Sequence, residues 1–334
     1  MLINANRERN LKLSVCIITY NHKNYIKDCL DSIIPQVKDF EAEIVIGDDF
    51  STDGTRDVLV EYKNRYPEII NLIFQKENTG GTQNYCDVHS KATGDYVAQI
   101  DGDDFILPGK FKAQTSILEQ NPEVSFCVHG LKVLNSTETM GMSESLPVMG
   151  SIQDLLRFHC YFGSSSVMYR RVNECELPIQ GKKNIVDFAF HLQRARFGKI
   201  FLDKQLYGVY RKHSRGISKT KSYAEIVQLC YEDAFDYAIE VGVDKKLVNQ
   251  SRLLKRLNFA VNCYFDENKT LYRKYITLNK CDYRLASFFH KLLSRYAFVP
   301  YFPIIFILKN FMCNKFRRSL DFTKRKILFF FVNR

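Results

Sequence analysis

Apolar and polar positions follow two periods along the first hundred residues. Four short apolar runs rich in β-branched residues predict strands that are buried on both faces: LKLSVCIITY, EAEIVIGDD, IINLIFQ and DYVAQI. The stretches between them carry apolar residues at helical spacing: NYIKDCLDSIIPQ, STDGTRDVLVEYKNRY and TQNYCDVHSKA. An alternation of strands and helices of this length predicts an α/β fold with a parallel, doubly wound sheet.

The pattern beyond residue 120 predicts a mixed region and then helices. Strands are expected in VSFCVHGLKVLN, SSSVMYRR and KIFLDKQLYGVYR, with helices near 151–158 and 185–197. After about Thr220 apolar residues recur every three or four positions, which predicts helices. We therefore expect an α/β domain over residues 11–220 and a helical extension over residues 221–290.

Charge is concentrated at the end of the chain. The formal net charge is +11, and residues 291–334 contain ten Lys and Arg residues against one acid, Asp321, so this tail carries +9. The other residues carry only +2. A nucleic-acid-binding protein needs a basic face on its folded body, and the counts argue against one here.

The tail also combines this charge with aromatic residues. The apolar run YAFVPYFPIIFIL has thirteen residues, fewer than the roughly 20 that span a bilayer. It precedes a segment in which Lys and Arg alternate with Phe, Leu and Ile. This composition predicts that residues 291–334 associate with an anionic membrane surface. The alternative is a helix that packs on the catalytic domain and presents a solvated basic face.

Cysteine usage and the amino terminus indicate the compartment. The chain has ten cysteines without a CxxC pair, and its polar start, MLINANRERN, lacks the features of a secretory signal. Scattered cysteines without such a signal are typical of a reducing cytoplasm. Together with the tail, they predict a cytoplasmic protein at the inner face of the cell membrane.

Carboxylates collect where the predicted strands end. Asp48 and Asp49 end the second strand, and Asp101, Asp103 and Asp104 follow the fourth. Parallel strand ends share one crevice, and clustered carboxylates are costly unless a cation compensates them. Such clusters suit hard ions such as Mg²⁺ or Mn²⁺, which complete their coordination with phosphates and water. Because no P-loop or GxGxxG motif is present, the sequence predicts a nucleoside diphosphate held through a metal.

Several motifs resemble the inverting family 2 glycosyltransferases of the GT-A fold. In order and spacing they are SVCIITYNHKNYIKDCLDSI, EIVIGDDFSTDGT, NTGGTQNYCDVHSKATGDYVAQIDGDD and LPGK. The resemblance is strong over residues 13–130 and continues through GSSSVMYRR, VDFAFHLQRARFGKI and GVYRKHSRGIS. It implies a Rossmann-like, mostly parallel sheet and metal-dependent transfer from a nucleotide sugar, UDP-linked by analogy. The acceptor would be a glycan or lipid-linked molecule of cell-surface polysaccharide or lipopolysaccharide biosynthesis.

The resemblance assigns the nucleotide sugar to residues at the strand ends. Asp49 matches the position that hydrogen-bonds the base, whereas Asp48 and Asp53 are expected to order that loop. Gln83 stands where many relatives have arginine, which leaves a cationic contact in doubt. Gly163 and Ser164 match the strand that lines the acceptor side. The nucleotide-sugar set is Thr19, Tyr20, Asn21, Asp49, Asn78, Gly80, Gln83, Asp101, Gly102 and Arg211.

The resemblance also assigns the metal and the base. Asp101-Gly102-Asp103 matches the DXD motif, and the metal ligands are expected to be Asp103, Asp104 and His213, with Mn²⁺ or Mg²⁺. Asp187 matches the carboxylate that deprotonates the acceptor hydroxyl, although Val186 replaces the glutamate that often precedes it. Asp187 could instead be a helix N-cap, and His213 could be structural.

Two other functions compete with glycosyl transfer. A sugar-nucleotide pyrophosphorylase uses a related sheet, but it needs a glycine-rich, basic N-terminal loop that SVCIITYNHKN lacks. A non-catalytic membrane-bound scaffold could keep the fold, but the intact DGDD sequence argues against that function. Neither alternative is excluded by the sequence.

Overall fold

The computed structural model describes residues 12–171, 187–212, 221–265 and 268–278. Its strands are β1 Lys12–Thr19, β2 Glu41–Asp48, β3 Ile70–Phe74, β4 Tyr96–Asp101, β5 Phe105–Ile106, β6 Val124–Val133, β7 Thr139–Met140, β8 Met149–Gly150, β9 Met168–Arg170 and β10 Lys199–Tyr210. Its helices are α1 Ile26–Val37, α2 Thr55–Arg65, α3 Gly81–Ser90, α4 Lys110–Gln120, α5 Ile152–Phe158, α6 Asp187–Arg194, α7 Lys221–Glu240, α8 Lys245–Phe265 and α9 Lys269–Leu278.

One mixed sheet organises these elements, in the order β3-β2-β1-β4-β9-β6-β10-β5. The first four strands of this order are parallel to one another, as the strand–helix alternation predicted. The short strand β9 lies antiparallel between β4 and β6. The predicted α/β class is therefore confirmed, and the sheet is parallel where strands and helices alternate and mixed beyond that region.

The continuous apolar runs are explained by helices on both faces of the sheet. On one face, alternate β1 residues such as Val15 and Ile17 belong to the same core as Leu30 and Ile33 of α1. On the other face, Cys16 packs in a smaller cluster with residues of α3 and of the neighbouring strands. Strands covered in this way contain few polar positions until they end. Polar chemistry is therefore confined to the strand ends.

The SSSVMYRR segment differs from its predicted extended form. Residues Ser164–Ser166, which we call the serine turn, form a 3-10 helical turn, and only Met168–Arg170 form a strand. The Ser166 Oγ donates a hydrogen bond of 2.6 Å to the carbonyl of Gly163. This local bond competes with strand pairing, as serine hydroxyls often do. The helix α4, which follows LPGK, was not among the predicted elements.

The described residues divide into two compact units. The first contains the described residues up to Tyr237 except Leu156–Phe158, and the second contains Leu156–Phe158 and the described residues from Ala238 onward. Within the second unit, the rings of Phe259 in α8 and Tyr275 in α9 meet edge to face at 4.8 Å. The proposed boundary near residue 220 stays a prediction. Among the described helices, none combines the length and apolarity required to cross a bilayer.

Candidate functional site

Three neighbouring strands end at one edge of the sheet and bring their polar ends together. Thr19 lies opposite Asp48 in the β1–β2 register, and Asp101 pairs with the residue before Thr19 in the β1–β4 register. Residues Asp101–Asp104 form what we call the acidic loop. A Cβ atom added to Gly102 would lie 2.9 Å from the Oγ1 of Thr19. The acidic loop therefore packs directly against the end of β1, where only glycine fits at position 102.

The loops after β1 and β2 are joined by hydrogen bonds. The Asn21 N–H donates to the Oγ of Ser51 at 2.8 Å, and the Thr52 N–H donates to the Oδ1 of Asn21 at 2.9 Å. Asn21 has a φ of 55°, a left-handed conformation that asparagine tolerates. The neighbouring Tyr20 is 40% exposed. The structure thus holds the backbone at Asn21 and leaves the ring of Tyr20 open to a ligand.

Asp49 organises the loop that precedes α3. Its carboxylate accepts hydrogen bonds from the Thr79 N–H at 2.7 Å, the Thr79 hydroxyl at 2.9 Å and the Gly80 N–H at 3.0 Å. The Asn78 side chain donates to the carbonyl of Asp49 at 3.2 Å. Three predicted nucleotide-binding residues, Asp49, Asn78 and Gly80, therefore form one hydrogen-bonded unit.

Asp48 has a different partner set, centred on a cation that the sequence analysis did not identify. Its Oδ1 accepts hydrogen bonds from the Nε of Arg56 at 2.5 Å and from the N–H of Ser51 at 3.0 Å. The Arg56 guanidinium also lies 5.3 Å from the ring of Phe50 and 5.0 Å from that of Phe74. Phe50 has a φ of 64°, which is unusual for a bulky residue. Asp48 and Arg56 thus hold this loop, in agreement with the ordering role expected of Asp48.

Two further predicted residues make local contacts. Asp53 accepts a hydrogen bond of 3.0 Å from the N–H of Thr55, the first residue of α2, as a helix-opening aspartate would. Gln83 donates from its Nε2 to the Oδ1 of Asp87 at 2.8 Å, one turn further along α3. This Gln83 bond is exposed. The structure therefore directs the Gln83 amide along its own helix.

The acidic loop is fixed by one serine and one backbone amide. Asp104 is buried, and its Oδ2 accepts a 2.6 Å hydrogen bond from the hydroxyl of Ser165. Its Oδ1 accepts a 2.8 Å bond from the N–H of Arg211. The Ser165 Oγ also accepts a 3.0 Å bond from the N–H of Asp101. Both Asp104 oxygens thus accept hydrogen bonds that order the loop, and Ser165 contacts both ends of the loop. The metal-ligand role of Asp104 stays a prediction.

The carboxylates of the acidic loop oppose one another's ionisation. Desolvation raises the pKa of Asp101 well above its ordinary value, and the charges of Asp104, Asp103 and Asp187 raise it further. Desolvation and the Asp103 charge raise the pKa of Asp104 to about 7, against the hydrogen bond from Ser165. The loop therefore stores charge repulsion that a bound cation would relieve.

Arg211 is engaged with the acidic loop by its side chain as well as its backbone. Its Nε donates to the carbonyl of Asp103 at 2.9 Å, and its Nη2 donates to Asp28 of α1 at 2.9 Å. Its guanidinium also lies 4.8 Å from the centre of the Tyr25 ring. In this structure Arg211 therefore ties the end of β10 to the loop that would carry the nucleotide.

A histidine without a predicted role lies beside the loop. The Nε2 of His22 is 3.9 Å from the Oδ2 of Asp103. His22 follows directly after Thr19-Tyr20-Asn21 at the end of β1, so its position in the TYNH tetrapeptide was the available signal. The predicted histidine ligand, His213, lies outside the described residues.

Asp187 begins α6 and contacts the serine turn. The hydroxyl of Ser164 donates to its Oδ2. Asp187 is more than a third exposed, yet neighbouring atoms desolvate its carboxyl and raise its pKa above the ordinary value of 3.8. The Ser164 hydrogen bond and the charge of Arg194 act against this rise. A carboxylate with a raised pKa is a stronger base, which suits proton abstraction from a hydroxyl.

The residues of the acidic loop fit a divalent cation by their chemistry. Across the ranges that the structure describes, no group of three or more His, Cys, Asp or Glu side chains is arranged to hold a metal ion. Asp101 and Asp103 nevertheless supply hard oxygen ligands. The raised pKa of Asp101 means that a nearby positive charge would favour its ionised form. A metal bound by few carboxylates takes its remaining ligands from phosphates and water.

Comparisons with known proteins agree on one family. Residues 14–176 match the family described as glycosyl transferase family 2. An uncharacterised protein of Mycobacterium tuberculosis is 32% identical over 210 residues, which cover 61% of this chain and 60% of that protein. A putative teichuronic acid biosynthesis glycosyltransferase of Bacillus subtilis is 34% identical over 131 residues, which cover 38% of this chain and 51% of that protein. The chain therefore spans only about half to three fifths of these relatives' length.

Solved structures share the fold at lower identity. Staphylococcus aureus TarS residues 1–349, in complex with UDP-GlcNAc, aligns with a TM-score of 0.60 at 19% identity and covers 80% of this chain and 79% of that one. The mannosyltransferase PcManGT of Pyrobaculum calidifontis, in complex with GDP-Man and Mn²⁺, aligns with a TM-score of 0.56 at 17% identity and covers 90% of this chain and 84% of that one. At these identities the comparison establishes the GT-A architecture.

Proposed function

Residues 14–176 belong to glycosyl transferase family 2, and from this premise we propose that the protein transfers a sugar from a nucleotide sugar to a glycan or lipid-linked acceptor. The donor nucleotide is a nucleoside diphosphate, with UDP the first candidate, and the product belongs to cell-surface polysaccharide. A relative whose name places it in teichuronic acid biosynthesis supports this setting. The TarS fragment that shares the fold was solved with UDP-GlcNAc, which supports a UDP donor.

One observation carries the proposal. Thr19, Asp49 and the acidic loop come together at the ends of three adjacent strands, within the segment that matches the family. Two consecutive serines then link this edge to Asp187, because Ser164 contacts Asp187 and Ser165 contacts the acidic loop. A seat for a nucleoside diphosphate and a candidate base therefore lie on either side of one short turn.

The proposed reaction is a single displacement with inversion. The Asp187 carboxylate accepts the proton of the acceptor hydroxyl as its oxygen attacks the anomeric carbon of the donor. The bond between that carbon and the diphosphate oxygen breaks, and the nucleoside diphosphate leaves with both electrons. Because attack comes from the face opposite the leaving group, no covalent sugar–enzyme intermediate forms. Asp49 and Tyr20 hold the base end of the donor.

Asp103 and Asp101 are the residues that would hold a divalent cation, Mn²⁺ or Mg²⁺. When bound, the cation supplies positive charge that stabilises the departing diphosphate. The mannosyltransferase structure that shares this architecture is a complex with Mn²⁺, which supports the assignment by analogy. Arg211 and His22 lie against the same loop and keep Asp103 oriented.

The acceptor is proposed to be carried by a membrane. This rests on the basic, aromatic composition of residues 291–334, which lie outside the described residues. Such a segment would hold the protein peripherally at the inner membrane surface, where lipid-linked glycans are extended.

The deciding experiment is a nucleotide-release screen of the full chain across UDP-, GDP- and dTDP-sugars with Mn²⁺ or Mg²⁺. Release that rises with a glycan acceptor, and a product of inverted anomeric configuration by NMR, would support the proposal. Asp103→Asn should abolish release, whereas Asp57→Asn, an exposed carboxylate of α2, should leave it unchanged. Activity only with UTP and a sugar 1-phosphate would favour a pyrophosphorylase, and no turnover at all would favour a scaffold.

A further inference from the structure

The serine turn contacts both halves of the candidate site through adjacent residues. The Ser164 hydroxyl donates to Asp187, and the Ser165 hydroxyl donates to Asp104 at 2.6 Å while accepting from the N–H of Asp101. Ser165 is almost fully buried, and its bond to Asp104 is shielded from water. Two residues one step apart thus contact the candidate base and the acidic loop separately.

Side chains of α4 hold the backbone of the serine turn by hydrogen bonds. The Nζ of Lys110 donates to the carbonyl of Ser165 at 3.1 Å, and the Nε2 of Gln114 donates to the carbonyl of Ser166 at 2.8 Å. The Lys110 ammonium is also within hydrogen-bond distance of the Oε1 of Gln114, at 2.8 Å, and of the Nε2 of His129, at 2.9 Å. Lys110 and Gln114 are both fully buried. Lys110, Gln114 and His129 therefore form a buried polar cluster, which we call the platform, and two of its side chains bind the backbone of the turn.

Burial of the platform costs free energy, because its polar groups lose their hydration. All three acceptors around Lys110 are uncharged, and burial lowers the pKa of Lys110 to about 7. A complete buried network of polar or ionic groups can often be replaced by apolar residues of similar volume without loss of stability, whereas removal of one member leaves its partners unsatisfied. If the platform served only to fill the core, apolar residues would serve as well. Its hydrogen bond to Ser165 indicates a different role.

We propose that the serine turn, fixed by Lys110 and Gln114, is a positioning device that sets the candidate base and the acidic loop independently. Ser164 orients Asp187 toward the acceptor hydroxyl, and Ser165 holds the acidic loop in the shape that receives the diphosphate. The inference rests on the proposed function for the identity of the two ligands. The hydrogen bonds that carry it are independent of that function.

The two serines predict two different defects. Ser164→Ala should lower kcat roughly tenfold or more and leave the KM for the donor nearly unchanged. Because the Ser164 hydrogen bond lowers the pKa of Asp187, its loss should move the acidic limb of the kcat–pH profile to higher pH. Ser165→Ala should instead raise the donor KM and the half-saturating Mn²⁺ concentration roughly tenfold, with the acidic limb in place.

The pH profile depends on the charged groups around Asp187. Among the described residues, the charged and titratable groups that interact with Asp187 are Arg194 of its own helix, Asp101 of the acidic loop, Tyr85 of α3 and Tyr231 of α7. The Ser164→Ala substitution leaves all of these side chains intact. A shift of the acidic limb is therefore assigned to the lost hydrogen bond.

Lys110→Met tests whether the platform positions the turn. The variant leaves the buried acceptors on Ser165, Gln114 and His129 without their donor, so its melting temperature should fall. If the platform positions the turn, kcat should also fall and donor KM should rise at a temperature where the variant is fully folded. If it fails to fold, the two serine variants still decide the question. Ser125→Ala is the matched control: it removes a part-buried side-chain bond to the Lys199 carbonyl near the start of β6 and should match wild type.

Two measurements on the full chain keep this test apart from the test of function. Carbon-13 NMR of aspartate carboxyls in the apo protein should show an Asp187 pKa above its wild-type value in Ser164→Ala and an unchanged Asp187 pKa in Ser165→Ala. Calorimetry with UDP and Mn²⁺ should show weakened binding in Ser165→Ala only. Equal defects in both variants, or none beyond the Ser125→Ala control, would overturn the proposal. A wild type that binds UDP and Mn²⁺ but transfers no sugar would count against the proposed function alone.

Discussion

At the scale of single residues, the carboxylates of the acidic loop repel one another and are only partly stabilised by hydrogen bonds. Asp101 and Asp104 have raised pKa values because they are desolvated among other carboxylates. The hydroxyl of Ser165 and the amide of Arg211 relieve Asp104 only in part. The ligand-free site is thus electrostatically strained, a common trade between stability and function.

We expect Asp101→Asn to stabilise the ligand-free protein at neutral pH. An acid whose pKa is raised by folding weakens the fold as pH rises from its ordinary pKa toward its folded pKa, because the folded state then resists ionisation. The variant should melt a few degrees higher than wild type at pH 7 and equally near pH 4. It should also lose the stabilisation that Mn²⁺ with UDP gives the wild type.

Calorimetric melting curves across this pH range test the expectation. Asp57→Asn, on the exposed side of α2, is the control for removal of a negative charge far from the loop. A variant that melts at or below the wild-type temperature at pH 7 would show that repulsion at Asp101 is already relieved without a cation.

At the scale of elements, strand ends and the loops between them decide the geometry. The acidic loop packs on β1 so closely that a Cβ at Gly102 would meet the side chain of Thr19 at 2.9 Å and the carbonyl of Ile18 at 3.1 Å. The Gly102 N–H also donates to that carbonyl at 2.9 Å. One glycine therefore fixes how closely the loop approaches the first strand.

Gly102→Ala should displace the acidic loop from β1. Part of the contact is backbone, so rotation of Thr19 does not relieve it, and we expect a loss of about 1–3 kcal/mol in stability. Binding of UDP with Mn²⁺ should weaken more than this loss of folding stability implies, because Asp101 and Asp103 flank the substituted position. Denaturant unfolding and calorimetry measure the two effects.

Gly81→Ala is a suitable comparison, since a Cβ at Gly81 meets no atom within 4 Å. It introduces the same methyl group at the start of α3 and should leave stability nearly unchanged. If Gly102→Ala also binds and unfolds like wild type, the close approach of the acidic loop to β1 is not required.

At the scale of the whole molecule, we expect the α/β sheet and the basic tail to have separate roles. Residues 291–334 contribute +9 of the net charge of +11. We expect removal of residues 296–334 to shift the protein from anionic liposomes to the supernatant in a sedimentation assay. Raised salt should weaken binding of the full chain, because the Debye length falls from about 10 Å at 0.1 M to about 3 Å at 1 M.

Neutral liposomes provide the control for charge. The full chain should sediment less with them than with anionic vesicles of the same size. If the truncated protein still sediments as the full chain does, the membrane contact lies elsewhere. Transfer to a water-soluble acceptor should persist in the truncated protein, because every predicted site residue lies before residue 214.

The sequence predicted much of the fold because buried strands and helices space their apolar residues at regular intervals along the chain. β1 to β4 and α1 to α3 lie where the apolar runs and helical spacing placed them. The 3-10 form of Ser164–Ser166 escaped prediction because it depends on a serine bond to a local carbonyl. The helix α4 begins at Lys110, the last residue of LPGK, and no sequence pattern indicated that Lys110 and Gln114 are buried.

The site was predicted less completely, for a related reason. Residue type and order placed carboxylates at strand ends, and parallel topology required those ends to meet. The partners of each carboxylate come from distant segments: Thr79 for Asp49, Ser165 for Asp104 and Ser164 for Asp187. Such pairings depend on how loops pack, which leaves no period in the sequence.

The sequence by itself determined the α/β class, the family resemblance and the collection of acids at one edge of the sheet. These follow from the period of apolar residues and from motif order, which are local properties of the chain. Only the tertiary structure decided that two consecutive serines contact the acidic loop and Asp187, and that a buried lysine contacts one of them. Hydrogen bonds between residues more than fifty positions apart exist only once the chain has folded, and they orient the carboxylates of the candidate site.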